Sequence, residues 1–199
     1  MKWLKRMFMR TGVLEAIKTR RSIRKFKTTP VDDKTIELVL EAARWAPSWG
    51  NTQCWRFIVV RDVNIKAELA NTLRLEWADT VVENPATDAI RQAPVVIVAC
   101  AELEKSGYYH GEPATDKGDW YMFDVALAMQ NLVLAAHSLG LATVHVGRFD
   151  AKQAASILEV PEGFCVVEMT PLGYPDQVRE PRPRKEHSEI VFHDKWSIK

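Results

Sequence analysis

The stretch Val95-Val96-Ile97-Val98-Ala99-Cys100 is apolar at every position. A short continuous apolar run rich in β-branched residues reads as a strand buried on both faces. Helical patterns surround it in sequence. Ile36, Val39, Leu40 and Ala43 repeat at i, i+3, i+4 and i+7, predicting a helix over 32–45 with Asp32 or Asp33 as N-cap and Pro47 as its stop. Ile65, Leu69, Leu73 and Trp77 step by four and predict a second helix, broken at Asn84-Pro85. Trp120 to Leu139 is apolar on nearly every side, the pattern of a central buried helix, with Gly140 as its C-terminal cap. A short helix is expected over 13–19, and Asp150 with Gln153 forms a capping box for another that ends before Pro161. Trp55–Arg61, Ala142–Val146 and Phe164–Thr170 read as further strands. From Tyr174 onward Pro175, Pro181 and Pro183 make the tail extended. Strands separated by helices indicate a layered α/β or α+β domain.

Composition narrows the function classes. The chain has 199 residues, 27 Lys plus Arg against 26 Asp plus Glu, and 47% hydrophobic residues, which suits one globular domain spanning 1–199. Near neutrality argues against a globally basic nucleic-acid binder. Cys54, Cys100 and Cys165 stand far apart without a Cys-x-x-Cys, so they read as free buried thiols of a cytoplasmic protein and not as a zinc site. No apolar run approaches a membrane span. The opening MKWLKRMFMR is interrupted by charge, unlike a secretory signal. Its Trp3, Leu4, Met7 and Phe8 share a helical face suited to packing on the protein or a partner subunit, with membrane-surface contact as the alternative. There is no Gly-x-Gly-x-x-Gly, Walker loop, Gly-x-Ser-x-Gly or His-Glu-x-x-His. The five histidines are scattered, and Cys54 has no histidine near it in sequence, so no catalytic side chain and no metal ligand is assigned.

Three polar clusters remain at the ends of apolar elements. In Arg20-Arg21-Ser22-Ile23-Arg24, an extended backbone puts Arg20, Ser22 and Arg24 on one face. Two guanidiniums and a hydroxyl suit a phosphate or the edge of a polar ring, although a solvated basic turn would carry the same residues. Ala46 to Trp55 is a loop offering Ser48, Asn51 and Gln53 between Trp49 and Trp55. Arg182-Pro183-Arg184-Lys185 is a rigidly spaced cationic fork, equally readable as a solubilising tail. Residues 103–119 lack any period, as functional lids often do.

Together these segments resemble the nitroreductase-like flavoprotein family. The resemblance rests on Ala16-Ile17-Lys18-Thr19-Arg20-Arg21-Ser22-Ile23-Arg24-Lys25-Phe26, on Ala46-Pro47-Ser48 through Asn51-Thr52-Gln53, on Gly140-Leu141-Ala142-Thr143 through Gly147-Arg148-Phe149, and on Leu172-Gly173-Tyr174-Pro175 with Arg182 and Arg184. It spans about residues 13–185, in the family's order. It implies a three-layer α/β (α+β) sandwich whose mixed, mostly antiparallel central sheet is flanked by helices. It also implies a C-terminal extension reaching the partner subunit and a lid over 103–123. The implied activity is an FMN-dependent oxidoreductase that takes hydride from NADH or NADPH and passes it through flavin N5 to a nitroaromatic, quinone or similar acceptor, by a ping-pong cycle.

The implied assembly is a homodimer with flavin at the interface. By the same resemblance Arg20, Ser22 and Arg24 hold the pyrimidine edge, ribityl chain or phosphate, Arg21 beside them contributes through its backbone or at the phosphate, and Arg182 and Arg184 complete the phosphate clamp. Pro47, Ser48 and Asn51 reach the partner's flavin, Gln53 supports that loop, and backbone N–H groups at Gly147 and Arg148 face N5 and O4. The basic residues of Lys18–Lys27 and Arg179–Lys185 would then meet around one phosphate. Cys54 stands where many relatives have Pro, and Arg148 where they often have a small residue. A specialised flavin chemistry, such as reductive dehalogenation or flavin destruction, and a flavin store or sensor remain open alternatives.

Overall fold

The computed structural model describes residues 12–73, 75–77 and 80–196. The N-terminal segment carrying Trp3, Leu4, Met7 and Phe8 lies outside them. Strand β4 (Val95–Glu102) is central, flanked by β1 (Trp55–Val60) and β8 (Phe164–Gly173), and β7 (Ala142–Thr143) closes the far side of β8. All three pairings are antiparallel. Ser22 bridges to Thr143 in the parallel sense, which gives the sheet its mixed character.

β4 is buried through Ala101 and its alternate residues serve different layers. Val95, Ile97, Ala99 and Ala101 pack against α2 (Asp33–Arg44) and α5 (Tyr121–Ser138). Val96, Val98 and Cys100 face α3 (Val63–Asn71), α4 (Thr87–Gln92) and α6 (Ala151–Ile157). The three layers expected from the resemblance are therefore present. A register shift opposite Ala99/Cys100 lets Val166 and Met169 of β8 face the same core although they stand three apart.

Local chemistry sets most boundaries. Asp32 caps α2, accepting the Thr35 amide at 2.9 Å, and Asp150 caps α6 through the Gln153 amide at 2.9 Å. Gly140, at φ 79°, ends α5 in the left-handed conformation that glycine permits. The helix expected over 65–77 is corrected. α3 stops at Asn71, the Thr72 hydroxyl donates back to the Leu69 carbonyl, and the Thr72 carbonyl accepts the Asp150 amide. The following residues form a hairpin, β2 (Leu75–Trp77) with β3 (Thr80–Val82). Leu73 continues the spacing because the turn buries it in the same core as the helix.

Two further expectations change. α5 is covered on one side only: Met122 and Phe123 are more than half exposed, so the apolar character all round is not spent on the core of this chain. The tail is extended to Glu186 but then forms a helical turn, α7 (His187–Ile190), because Glu186 and Glu189 make a reciprocal capping box. Segment 103–120 holds turns and a two-residue hairpin, β5 (Tyr108–Tyr109) with β6 (Glu112–Pro113). The helix before it all, α1 (Val13–Thr19), packs on α5. Among the described residues no helix is long and apolar enough to cross a membrane.

The basic arm after α1 is seated on this frame. Ile23 N–H donates to the Thr143 carbonyl, Lys27 N–H to Tyr174, and Asp176 N–H to Lys25, each at 2.9 Å. Gly173 is the tight point: a Cβ there would stand 2.7 Å from Pro94 Cδ and 3.3 Å from Phe26 Cδ1. Gly173→Ala is expected to lower stability by about 1–3 kcal/mol, read as a lower thermal midpoint by circular dichroism. An unchanged midpoint would mean that the arm and β8 are not packed this closely.

Candidate functional site

The seated arm and the proline-rich tail converge on one cavity of about 300 Å³, lined by Arg20, Arg21, Ser22, Arg24, Arg179, Glu180, Arg182 and Arg184. Six of the residues read from sequence thus meet here. Arg179 joins them, as the basic run Arg179–Lys185 implied, although it was not singled out as a contact residue. Six guanidiniums face a single carboxylate. The Arg20 pKa is lowered, first by burial and then by Arg21 and Arg184. That of Arg24 is lowered by burial and then by Arg179 and Arg182. The two ends of the chain therefore feel each other's charge.

The cluster is held by backbone acceptors instead of anions. Arg21 Nη1 donates to the Lys18 and Arg20 carbonyls at 2.7 and 2.8 Å, and Arg184 Nη1 to the Arg182 carbonyl at 3.1 Å. Meanwhile Arg20 Nη1, Arg21 Nε and Arg24 Nε are buried and meet no acceptor among the described residues. Buried donors on a cation carry a desolvation cost of several kcal/mol (roughly 1–3 each, more when charged) unless an acceptor meets them. An oxyanion such as a phosphate ester supplies what is missing, so these residues fit the phosphate of a flavin mononucleotide.

A second cavity of about 340 Å³ shares Arg20, Arg21 and Arg179 with the first, and is otherwise lined largely by Ile23, Leu141, Ala142, Pro175 and Val178, with His137 in its wall. His137 Nε2 meets Thr19 Oγ1 at 2.8 Å. Its pKa is lowered by burial, then by Arg20 and Arg21.

Pro47, Ser48 and Asn51 lie elsewhere, after α2, and do not line the cationic cavity. They belong to a strained loop: a 3-10 turn at Trp49–Asn51, with Gly50, Asn51 and Gln53 all left-handed at φ 52°, 58° and 49°. Gln53 braces it, its amide donating to Ser48 Oγ at 3.0 Å and its side chain to Asn51 Oδ1 at 3.3 Å. Ser48 keeps its hydroxyl proton and Asn51 its amide NH₂ to offer. Beneath the loop, Asp124 is fully buried and accepts from Trp49 N–H, Thr52 Oγ1 and Ser106 Oγ. Sequence reading missed Asp124, although an acid in the first turn of an otherwise apolar helix was the available signal.

Gly147 and Arg148 follow the Val146–Met169 bridge and are exposed. A Cβ at Gly147 would meet nothing within 4 Å, so the backbone there is open to approach. The Arg148 carbonyl accepts from Asn84 Nδ2 at 2.8 Å, which ties this turn to the α3–α4 layer.

Nucleophilic chemistry finds no support. Burial, then Asp124 and Asp119, pushes the Cys54 thiol up to about 12, and burial, then Cys165, pushes Cys100 to about 11. All three cysteines are free, Cys54 and Cys100 buried and Cys165 half-buried. Among the described residues no cluster of His, Cys, Asp or Glu could hold a metal ion.

Comparison with known proteins follows the same lines. The model of the nitroreductase family matches residues 17–174. A protein of Methanothermobacter thermautotrophicus assigned as an NADH dehydrogenase/NAD(P)H nitroreductase is 37% identical over 169 residues, covering 82% of this chain and 77% of the relative. The crystal structure of a nitroreductase family protein from Clostridium novyi superposes with TM-score 0.71 at 31% identity, covering 82% of this chain and 86% of the other. The NADPH:FMN oxidoreductase of Vibrio harveyi, solved with NAD+, superposes with TM-score 0.75 at 26% identity, covering 93% and 78%.

His137 reports on the cavity it adjoins. Between the ordinary value near 6.5 and its lower folded value, the unfolded chain takes up a proton that the folded chain does not. Stability therefore falls as pH falls through that window. NMR titration, assigned with His137→Gln, is expected to give a midpoint below 6.5 that rises when inorganic phosphate offsets Arg20 and Arg21. A midpoint indifferent to phosphate would separate His137 from the cationic cavity.

Proposed function

Because the chain belongs to the nitroreductase family, a family of oxidoreductases, we propose that it is an FMN-dependent enzyme that moves hydride from NADH or NADPH to an electron-poor acceptor such as a nitroaromatic or quinone. The observation that carries this reading is the set of buried guanidinium N–H groups on Arg20, Arg21 and Arg24 that meet no acceptor among the described residues. Arg20, Arg24, Arg182 and Arg184 bind the phosphate, with Ser22 as a hydroxyl donor on the same wall. Bound FMN supplies a reversible two-electron carrier that the amino-acid side chains lack.

The chain's own residues position that carrier and shape its field. Gly147 leaves its backbone open to approach, and the backbone N–H groups of Gly147 and Arg148 would favour negative charge on the ring edge of a bound flavin. Pro47, Ser48 and Asn51 reach the flavin bound mainly by a second copy, so the enzyme works as a homodimer with sites at the interface. This is supported by the separation of that loop from the cationic cavity and by apolar surface left uncovered in one chain. Leu14 is 74% exposed, Trp45 73% and Phe123 55%, and a groove of about 280 Å³ between α1, α2 and α5 is lined mainly by Val13, Ala16, Ala42, Leu134 and Ala135. A helix apolar all round is explained when another copy covers its free side.

The whole chain is read as one flavin-binding unit, with residues 103–123 as the lid that selects the acceptor. Tyr109 and Phe123 are its outward aromatics. Trp120 is held by Thr115 Oγ1 at 2.8 Å and Tyr121 packs on the first core. Phe123, expected in the core, is instead surface. The extended tail beyond Tyr174 reaches the second copy. With FMN held there, donor and acceptor would use the same site in turn, and the expected kinetics are ping-pong.

The purified protein is expected to be yellow, or to become so with FMN, to bleach with NADH or NADPH without oxygen, and to recover with a quinone or nitroaromatic. A colourless protein that cannot be reconstituted overturns the reading. A yellow protein that never bleaches indicates a store or sensor, and bleaching without recovery indicates a specialised substrate. Arg24→Ala is expected to weaken FMN about ten-fold or more, the worth of one charge-assisted hydrogen bond.

A further inference from the structure

We infer that the buried carboxylate of Asp124 couples segment 103–119 to the Pro47–Gln53 loop, and so acts as a positioning residue for that loop. Asp124 is the fourth residue of α5, close to the positive end of the helix, and is completely buried. Both its oxygens accept the Trp49 N–H at 3.1 Å; one of them also accepts the Thr52 hydroxyl at 3.4 Å and the Ser106 hydroxyl at 2.5 Å. The Cys54 thiol lies 3.9 Å from the same oxygen. These donors come from two segments far apart in sequence, one entering β1 and the other leaving β4. They are brought to one end of the sheet where Glu102 N–H donates to the Cys54 carbonyl at 2.8 Å.

A buried carboxylate is costly unless its lone pairs are filled, and here neutral donors and the helix end fill them. Withdrawing the Ser106 hydroxyl leaves the charge under-served and weakens the same anchor that holds Trp49 and Thr52. Withdrawing the loop does the converse, and coupling of this kind is reciprocal. Ser106 is well placed to transmit it. It is fully buried, and its carbonyl accepts the Trp120 N–H at 2.9 Å, so it leaves Asp124 only if the base of the segment opens. The loop is well placed to respond, because Asn51 and Gln53, which carry side chains, sit in left-handed backbone that needs outside support.

The consequence for catalysis rests on the proposed flavin role of the loop; the coupling itself does not. Hydrogen exchange in flavin-free protein is therefore the primary test. Ser106→Ala is expected to speed exchange of the amides from Trp49 to Cys54 about ten-fold. Thr52→Val is expected to speed exchange at residues 104–107, and it carries the test alone if Ser106→Ala does not fold. Exchange confined to the mutated segment in both variants overturns the coupling. FMN titration of Ser106→Ala then judges the other reading. Weaker binding, from a residue outside the proposed flavin contacts, supports both. Faster exchange with unchanged FMN affinity upholds the coupling and removes the loop from the flavin site.

Discussion

Burial of β4 on both faces is the constraint from which the rest of the structure follows. A strand with Val95, Ile97 and Ala99 on one side and Val96, Val98 and Cys100 on the other has no face for water. Helices must cover both sides, and that requirement places α2 and α5 in one layer and α3, α4 and α6 in the other. It also fixes where irregular chain is allowed. At the Glu102 end the sheet delivers the segment that carries Ser106 beside the loop that enters β1. Beyond β8 it delivers the tail beside the basic arm. The polar clusters are thus peripheral to a dry core, each at an edge that the strand order creates.

The two clusters solve opposite electrostatic problems. Around Arg20 and Arg24 the chain gathers like charge and buries donors that meet no acceptor among the described residues, an arrangement that costs stability and favours binding of an anion. Around Asp124 it buries one negative charge and meets it fully from within. The first cluster is built to be completed by a ligand and the second is complete in itself. This explains why near neutrality overall, 27 basic against 26 acidic residues, coexists with a strongly cationic cavity: the balance is global and the surplus is local.

The sequence was most legible where one physical signal dominated. Uninterrupted apolarity identified β4, Asp32 and Asp150 identified two helix starts, and Gly140 one helix end. It misled where two elements share a core, since Leu69 and Leu73 keep a helical spacing although the chain turns at Thr72 between them. Six-residue α4 is too short to show a period. For the site, the alternation of Arg20, Ser22 and Arg24 was readable because extended backbone has a fixed period. Asp124 was not, because its role depends on which donors reach a buried oxygen, and Arg179 was legible only as part of the basic run Arg179–Lys185. Such information resides in tertiary placement and not in local pattern.

The uncovered side of α5 connects these observations. The helix carries Asp124 on its buried face and Met122 and Phe123 on its open one, within a single turn. Whatever covers the open face therefore presses on the same turn that anchors the 48–53 loop and Ser106. If a second copy provides the cover, assembly and loop geometry are set by one short stretch of helix. A chain that left this turn exposed would have to hold a strained loop against solvent fluctuations with the Asp124 carboxylate and the loop's own hydrogen bonds. Covering it restricts the helix end from both sides, and the loop can then hold Asn51 and Gln53 in left-handed backbone beside Gly50.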